Sequence, residues 1–105
     1  MKLQVLLTAP ILSLSLQAGA DCLAPLPGDA PVVPDGSTAD GTEMRTAQLE
    51  VNAYVDTIEQ FLDCRGDRLP DGVYNGLVRR AEEAADDYND ALKTYMSRQA
   101  TVADN

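Results

Sequence analysis

The chain has 105 residues and a formal net charge of −9, with 17 acidic residues against 8 basic ones. Affinity for nucleic acid comes from Lys and Arg that displace counterions from phosphates, so this charge argues against nucleic acid as a partner. The sequence contains no histidine, so the commonest general base and the commonest transition-metal ligand are both missing.

Residues 1–20 have the order of a secretory signal peptide. A single cation, Lys2, precedes the apolar run 3–16, and small residues lie before an expected cleavage site after Ala20. The run is too short for a membrane span of about 20 residues and is interrupted by Pro10, which disfavours an uncleaved anchor. We therefore expect export to the periplasm or the extracellular medium. The mature domain would cover residues 21–105, with no stable membrane anchor after cleavage.

Two cysteines, Cys22 and Cys64, remain after this cleavage. An even count in a short exported chain indicates a disulfide, because the compartments beyond the inner membrane are oxidising. We favour an intramolecular bond and a monomer over a disulfide-linked dimer. Lipidation of Cys22 is the alternative for that residue. A lipoprotein signal needs a small residue before the cysteine, however, and Asp21 occupies that place.

Residues 22–37, the proline-rich segment, follow the cleavage site. Four prolines that fix φ and lack a backbone donor predict an extended, polyproline-like conformation: Pro25, Pro27, Pro31 and Pro34. The tripeptide Pro34-Asp35-Gly36 is typical of a turn. The segment also carries four apolar side chains, which we expect to cover the helices: Leu23, Leu26, Val32 and Val33.

A first helix is predicted over about residues 41–64. Asp40 can accept hydrogen bonds from the first free amides, and Glu43 completes a capping-box pattern. Apolar or small residues then recur at alternating steps of three and four, which places them on one face: Met44, Ala47, Val51, Tyr54, Ile58 and Phe61.

A second helix is predicted over about residues 72–100, after a turn at about 65–71 in which Asp71 is the expected cap. The same spacing recurs in this helix: Tyr74, Leu77, Ala81, Ala84, Tyr88, Ala91 and Tyr95. Lys93 and Arg98 lie in its predicted last turns, where cations complement the helix dipole.

Two amphipathic helices joined by a short connection pack antiparallel, because each helix covers the apolar stripe of the other. The predicted fold is therefore all-α: an antiparallel two-helix hairpin with an extended proline-rich N-terminal segment stapled by the Cys22–Cys64 disulfide. We expect the segment to run back along the first helix. Its apolar side chains would then cover the widened side of the seam, near Val55, Leu62, Val78 and Leu92.

Signals for chemistry are weak, and no catalytic, cofactor-binding or metal-binding residue is predicted. An acidic run on the second helix suggests a weak site for divalent cations, but we favour a solvated face: Glu82, Glu83, Asp86, Asp87 and Asp90. Arg65-Gly66-Asp67, the tripeptide that animal integrins recognise, lies in the predicted turn. We interpret it as ordinary turn composition.

The chain resembles a family of small, uncharacterised secreted proteins of proteobacteria. The matching features are a cysteine, spaced prolines, a Pro-Asp-Gly turn, helix positions and a second cysteine: Cys22, Pro25, Pro31, Pro34-Asp35-Gly36, Met44, Ala47-Gln48, Val51, Tyr54, Phe61-Leu62 and Cys64. Tyr88-Asn89 is similar to an aromatic-Asn pair on the second helix of such proteins. The resemblance implies the fold and export, and it implies no activity.

These features favour a non-catalytic protein that binds another envelope or secreted protein. A structural or stress-related periplasmic protein without a specific ligand is the first alternative, and a weak divalent-cation binder is the second. An enzyme is disfavoured because the sequence offers no histidine and both thiols are expected to be consumed in the disulfide.

Overall fold

The structure, a computed structural model, describes residues 22–104, so the predicted signal peptide over 1–20 lies outside the described residues. The described part contains two α-helices and no β-strand: α1 spans Gly41–Arg65 and α2 spans Asp71–Asp104. A single 3-10 turn, Gly66–Arg68, lies between the helices. Neither helix of residues 22–104 combines the length and hydropathy needed to cross a membrane.

Helix α1 begins as the sequence predicts. The backbone amide of Glu43 donates to the Asp40 carboxylate at 2.8 Å, and the amide of Asp40 donates to the Glu43 carboxylate at 2.9 Å. This reciprocal pair is a capping box, and it satisfies two amides that the helix itself leaves without acceptors. The predicted role of Asp40 as the cap is confirmed.

Helix α2 begins one residue earlier and ends four residues later than the expected range of 72–100. The Pro70 carbonyl accepts from the amides of Val73 and Tyr74, so Asp71 is the first helical residue and the prediction that it caps the helix is wrong. The carboxylate still lies where it complements the positive end of the helix dipole. Because the helix continues to Asp104, Arg98 lies more than one turn from its end, and its predicted partnership with the dipole is also wrong.

One buried cluster contains side chains from both helices. All six predicted positions of the α1 stripe are buried, and they meet three buried residues of α2: Leu77, Ala84 and Tyr88. Ala81, Ala91 and Tyr95 pack half-buried at the margin of this cluster. The exception is Tyr74, which is 39% exposed because its ring lies beside the backbone of Gly66 rather than in the cluster.

The expectation for the proline-rich segment is largely wrong. Leu23, Leu26 and Val32 are 87%, 75% and 88% exposed, and of the four apolar side chains only Val33 packs against the core. The expected neighbours of the segment do not line the cavities beside it. The segment borders α1 residues such as Tyr54 and Thr57 and α2 residues 80–94, rather than the strip that includes Val55 and Leu62.

Candidate functional site

The disulfide joins the start of the proline-rich segment to the end of α1. Cys22 and Cys64 are bonded to each other with their Cα atoms 5.5 Å apart, so the predicted intramolecular pairing is present. No free cysteine remains among residues 22–104. The bond therefore fixes one end of the segment, and the turn that leads into α1 fixes the other.

That turn is organised by Asp35. Its carboxylate accepts from the amide of Ser37 at 2.8 Å and from the Ser37 hydroxyl at 2.7 Å. Its carbonyl accepts from the amides of Thr38 and Ala39 at 3.1 and 2.9 Å. The two bonds from Ser37 lower the pKa of the Asp35 carboxyl, desolvation opposes them in part, and the nearby charge of Arg98 lowers the pKa further. The predicted Pro-Asp-Gly turn is confirmed.

Gly36 brings this turn into direct contact with α2. Gly36 is buried. A Cβ added to it would collide with the backbone carbonyl of Ala91 and lie 3.0 Å from the backbone nitrogen of Tyr95. Backbone atoms cannot move aside as the end of a flexible side chain can. Only glycine therefore allows the turn to pack this closely on the helix.

Three arginines of the helices donate hydrogen bonds to backbone carbonyls of residues 22–39. One binds the start of the proline-rich segment, one its middle, and one the turn that leads into α1. Arg65 donates to the Cys22 carbonyl at 3.1 Å, and Arg80 donates to the Gly28 carbonyl. Arg98 donates to the Ser37 carbonyl at 2.7 Å and also to the Ala39 carbonyl. These three residues, Arg65, Arg80 and Arg98, are called the segment-binding arginines below.

Each segment-binding arginine also lies over an aromatic ring of the helices: Arg65 over Phe61 at 5.8 Å, Arg80 over Tyr54 at 5.7 Å and Arg98 over Tyr95 at 5.3 Å. These distances are within the range of a cation–π contact. Arg80 makes a further bond, from its Nε to the Tyr54 hydroxyl at 3.0 Å. A guanidinium can stack through its face while its edge donates, which explains why arginine serves all three positions.

Exposure along the segment repeats every three residues. Ala24, Pro27 and Val33 are buried or half-buried, although Ala30 of the same row is exposed. Every member of a second row with the same spacing is exposed: Leu23, Leu26, Asp29 and Val32. A polyproline II helix has three residues per turn, so residues three apart share a face. The exposed row follows this spacing although three of its four side chains are apolar. The exposed set, Leu23, Leu26, Asp29 and Val32, is called the outward row below.

A solvent-open cavity of about 370 Å³ lies between the middle of the segment and α2. Its polar lining includes Asp29 of the segment and three α2 residues, Arg80, Glu83 and Asp87. Within residues 22–104, no three side chains that could bind a metal ion lie close enough together to share one. The acidic run of α2 is exposed along its length. The cavity therefore carries a polar, mainly acidic surface beside the outward row.

The Arg65-Gly66-Asp67 tripeptide is not presented as an open loop. Arg65 is the last residue of α1 and binds the Cys22 carbonyl, and Gly66 is buried beside the ring of Tyr74. Asp67 is exposed, and Arg65 is also exposed but is held at the Cys22 carbonyl. This geometry supports the interpretation of the tripeptide as ordinary turn composition.

Comparison of the chain with family models, curated proteins and solved structures found no significant match. The resemblance to small secreted proteobacterial proteins therefore stays a prediction. Function has to be inferred from the residues and contacts described above.

Proposed function

We propose that the chain is an exported, non-catalytic protein-interaction module of the periplasm or the medium. One observation carries this proposal: the proline-rich segment holds three large apolar side chains in solvent on a backbone that is attached at its start, at Gly28 and at the turn before α1. Leu23, Leu26 and Val32 are each at least 75% exposed. An ordered backbone loses little conformational entropy when a partner binds it, which favours recognition.

The proposed architecture is an antiparallel helical hairpin with the proline-rich segment bound across one side. The buried cluster shared by α1 and α2 supports this arrangement, as does the connection of only five residues, 66–70, between them. The disulfide and the segment-binding arginines attach the segment to the helices in addition to the packing of Val33 on the core.

Export is supported by two features that are independent of each other. The first is the order of charge, apolar run and small residues within 1–20. The second is the disulfide itself, because such bonds persist in oxidising compartments and are rare in the cytosol. Together they favour a protein that acts beyond the inner membrane.

A role in binding fits the side-chain chemistry better than catalysis does. The sequence has no histidine, and its two cysteines form the disulfide, so the usual activated nucleophiles and their base are missing. The carboxylates of α2 lie on an exposed helix face rather than in an enclosed pocket that would exclude water. Such a surface suits recognition by another protein.

Fractionation of cells that make the full chain, followed by crosslinking mass spectrometry, tests the proposal. We expect a mature protein beginning at Asp21, found in the periplasm or the medium, with Cys22 linked to Cys64 and a reproducible crosslink to one other protein. A cytoplasmic chain that retains Met1 and free thiols would refute export. An exported chain without a specific protein crosslink would refute the interaction role and favour a structural protein.

A further inference from the structure

We infer that the outward row docks into an aromatic-lined groove of a protein partner that carries a Lys or Arg opposite Asp29. This inference rests on the proposed function and specifies its partner. The row consists of two leucines, an aspartate and a valine at three-residue spacing: Leu23, Leu26, Asp29 and Val32. Its length is about 28 Å at about 3.1 Å per residue.

The row differs from ordinary surface apolar residues in its alignment. Single exposed apolar side chains are common and require no explanation. Here the exposed leucines and valine of the segment fall at three-residue spacing, while Ala24, Pro27 and Val33 of another row are buried or half-buried. The chain therefore leaves three of the four large apolar side chains of the segment in solvent, which is the reverse of what stability alone requires.

Polyproline-type segments have a known mode of recognition. They dock into grooves lined by aromatic side chains, and their stiffness lowers the entropy lost on binding. In this chain the segment is stiffened further, because Pro25 and Pro31 fix the backbone beside the row and the disulfide holds its first residue. The segment-binding arginines contact it from the helix side, so the outward row stays free for a partner.

The negative charge around the outward row determines which kinds of partner can bind it. Asp29 lies in the row between Leu26 and Val32, and it borders the same cavity as Glu83 and Asp87 of α2. Arg80 is the one cation in the lining of that cavity, so carboxylates outnumber it. A groove that covers the row therefore meets a local cluster of negative charge, and a Lys or Arg in its middle is complementary. A second copy of this acidic chain, or an anionic lipid surface, brings charge of the same sign and is repelled.

Site-specific photocrosslinking of the full chain in cells that make it identifies the partner. The photoreactive residue p-benzoylphenylalanine replaces Leu26 in one strain, Leu49 in a second and Asn89 in a third. Leu49 lies on α1 with 63% exposure and is the control for a solvent-exposed leucine outside the segment, and Asn89 samples the acidic side of α2. We expect a crosslink from position 26 to a protein region containing Trp or Tyr together with Lys or Arg.

Titration of the purified mature protein with the purified crosslinked protein then measures the contribution of the row. We expect the combined variant Leu23→Ser, Leu26→Ser, Val32→Ser to weaken Kd by at least about 30-fold, because buried apolar anchors dominate such interfaces. Leu49→Ser should leave Kd unchanged. Asp29→Asn should weaken Kd about tenfold at low salt and reduce its salt dependence.

Several results overturn the inference, and they are distinguishable from failure of the proposed function. A crosslink from position 49 or 89 without one from position 26 rejects the row but keeps an interaction module. Crosslinks to lipid or to a second copy at position 26, or an unchanged Kd for the combined variant, also reject the row. No crosslink from any position rejects both. The altered side chains are exposed, so circular dichroism of the combined variant should show an unchanged fold. If the combined variant does not fold, Leu26→Asp alone replaces it in the titration.

Discussion

Arg80 shows how one side chain joins three parts of the molecule. Its guanidinium donates to the Tyr54 hydroxyl of α1 and to the Gly28 carbonyl of the proline-rich segment, and it lies over the Tyr54 ring. Because the side chain is half-buried, water replaces these contacts poorly when they are lost. A lysine has the charge but not the planar fork, so it cannot make the same set of contacts.

We predict that Arg80→Lys lowers the free energy of unfolding by about 1–2 kcal/mol through the loss of charge-assisted hydrogen bonds. Urea unfolding of the oxidised mature protein, followed by circular dichroism, measures the change. Arg79→Lys is the matched control, because the neighbouring Arg79 is exposed on α2. Equal midpoints for the two variants would show that Arg80 does not hold the segment.

The turn carboxyl of Asp35 gives a prediction for pH. Bonds from Ser37 lower its pKa in the folded state, so folding favours the ionised form. The resulting stabilisation is complete above the unfolded pKa, which is about 3.9 for Asp, and is lost as pH falls through the lower folded value. NMR titration should find the pKa of Asp35 below the ordinary range, and Ser37→Ala should raise it. An unchanged pKa in that variant would contradict the assignment.

Gly36 gives a prediction for packing. Gly36→Ala should destabilise the protein by about 1–3 kcal/mol, because the added methyl group collides with the backbone of α2 at Ala91. Gly28→Ala is a suitable control within the same segment, since a Cβ there has no neighbour within 4 Å. Thermal unfolding of the two variants compares them directly. A larger loss for Gly28→Ala would mean that the turn does not pack on α2 as described.

At the scale of the element, α1 depends on its first turn. Asp40→Ala removes the acceptor for the Glu43 amide and leaves the backbone of the first turn unsatisfied, so we predict a loss of about 1 kcal/mol. Asp40→Ser retains a capping oxygen and should change stability by less than half of that amount. Chemical denaturation of both variants provides the test. A similar loss in both would indicate that the charge, not the cap, matters.

The two helices could be predicted from the sequence because their signals are local and periodic. Asp40 and Glu43 mark the start of α1, and the three-four spacing from Met44 to Phe61 identifies its buried face. The position of Tyr74 could not be predicted in the same way. Its spacing matches the stripe, but the bare backbone of Gly66 offers the ring a different place to pack.

The proline-rich segment could be predicted only in part, for a physical reason. Prolines indicate an extended conformation, but a three-residue repeat allows any of three rows to face the helices, and hydrophobicity points to the wrong one. In the structure Ala24 and Pro27 are the protected side chains, and Arg80 bonds the carbonyl of Gly28 beside Pro27. Bonds from arginine to backbone carbonyls have no sequence pattern, so the segment-binding arginines were missed.

At the scale of the whole molecule, the small core makes the disulfide important. A chain of this size buries too little apolar surface for a large margin of stability. Closing a loop of about 43 residues between Cys22 and Cys64, whose separation is 42, contributes about 4 kcal/mol in the chain-entropy model. That contribution is comparable to the net stability of a small domain.

We therefore predict that reduction by dithiothreitol lowers the free energy of unfolding by about 4 kcal/mol. The double variant Cys22→Ser, Cys64→Ser should match the reduced protein and should not respond to dithiothreitol, which makes it the control for nonspecific effects of the reagent. Urea unfolding at equilibrium measures the wild-type protein and the double variant, each with and without dithiothreitol. Coincident curves for the oxidised and reduced protein would show that the bond contributes nothing to stability.

The position of the disulfide also divides the peptide bonds of the chain into those inside the loop that it closes and those outside that loop. Residues 22–64 form a covalent ring that contains most of α1, whereas α2 is attached through the single stretch 66–70. Cutting the ring once leaves one connected molecule. Cutting after the exposed Arg68, where a trypsin-like protease has access, leaves α2 as a separate peptide that only packing retains. A single cut in this junction therefore separates α2 from the rest of the chain, whereas a single cut within the ring separates nothing.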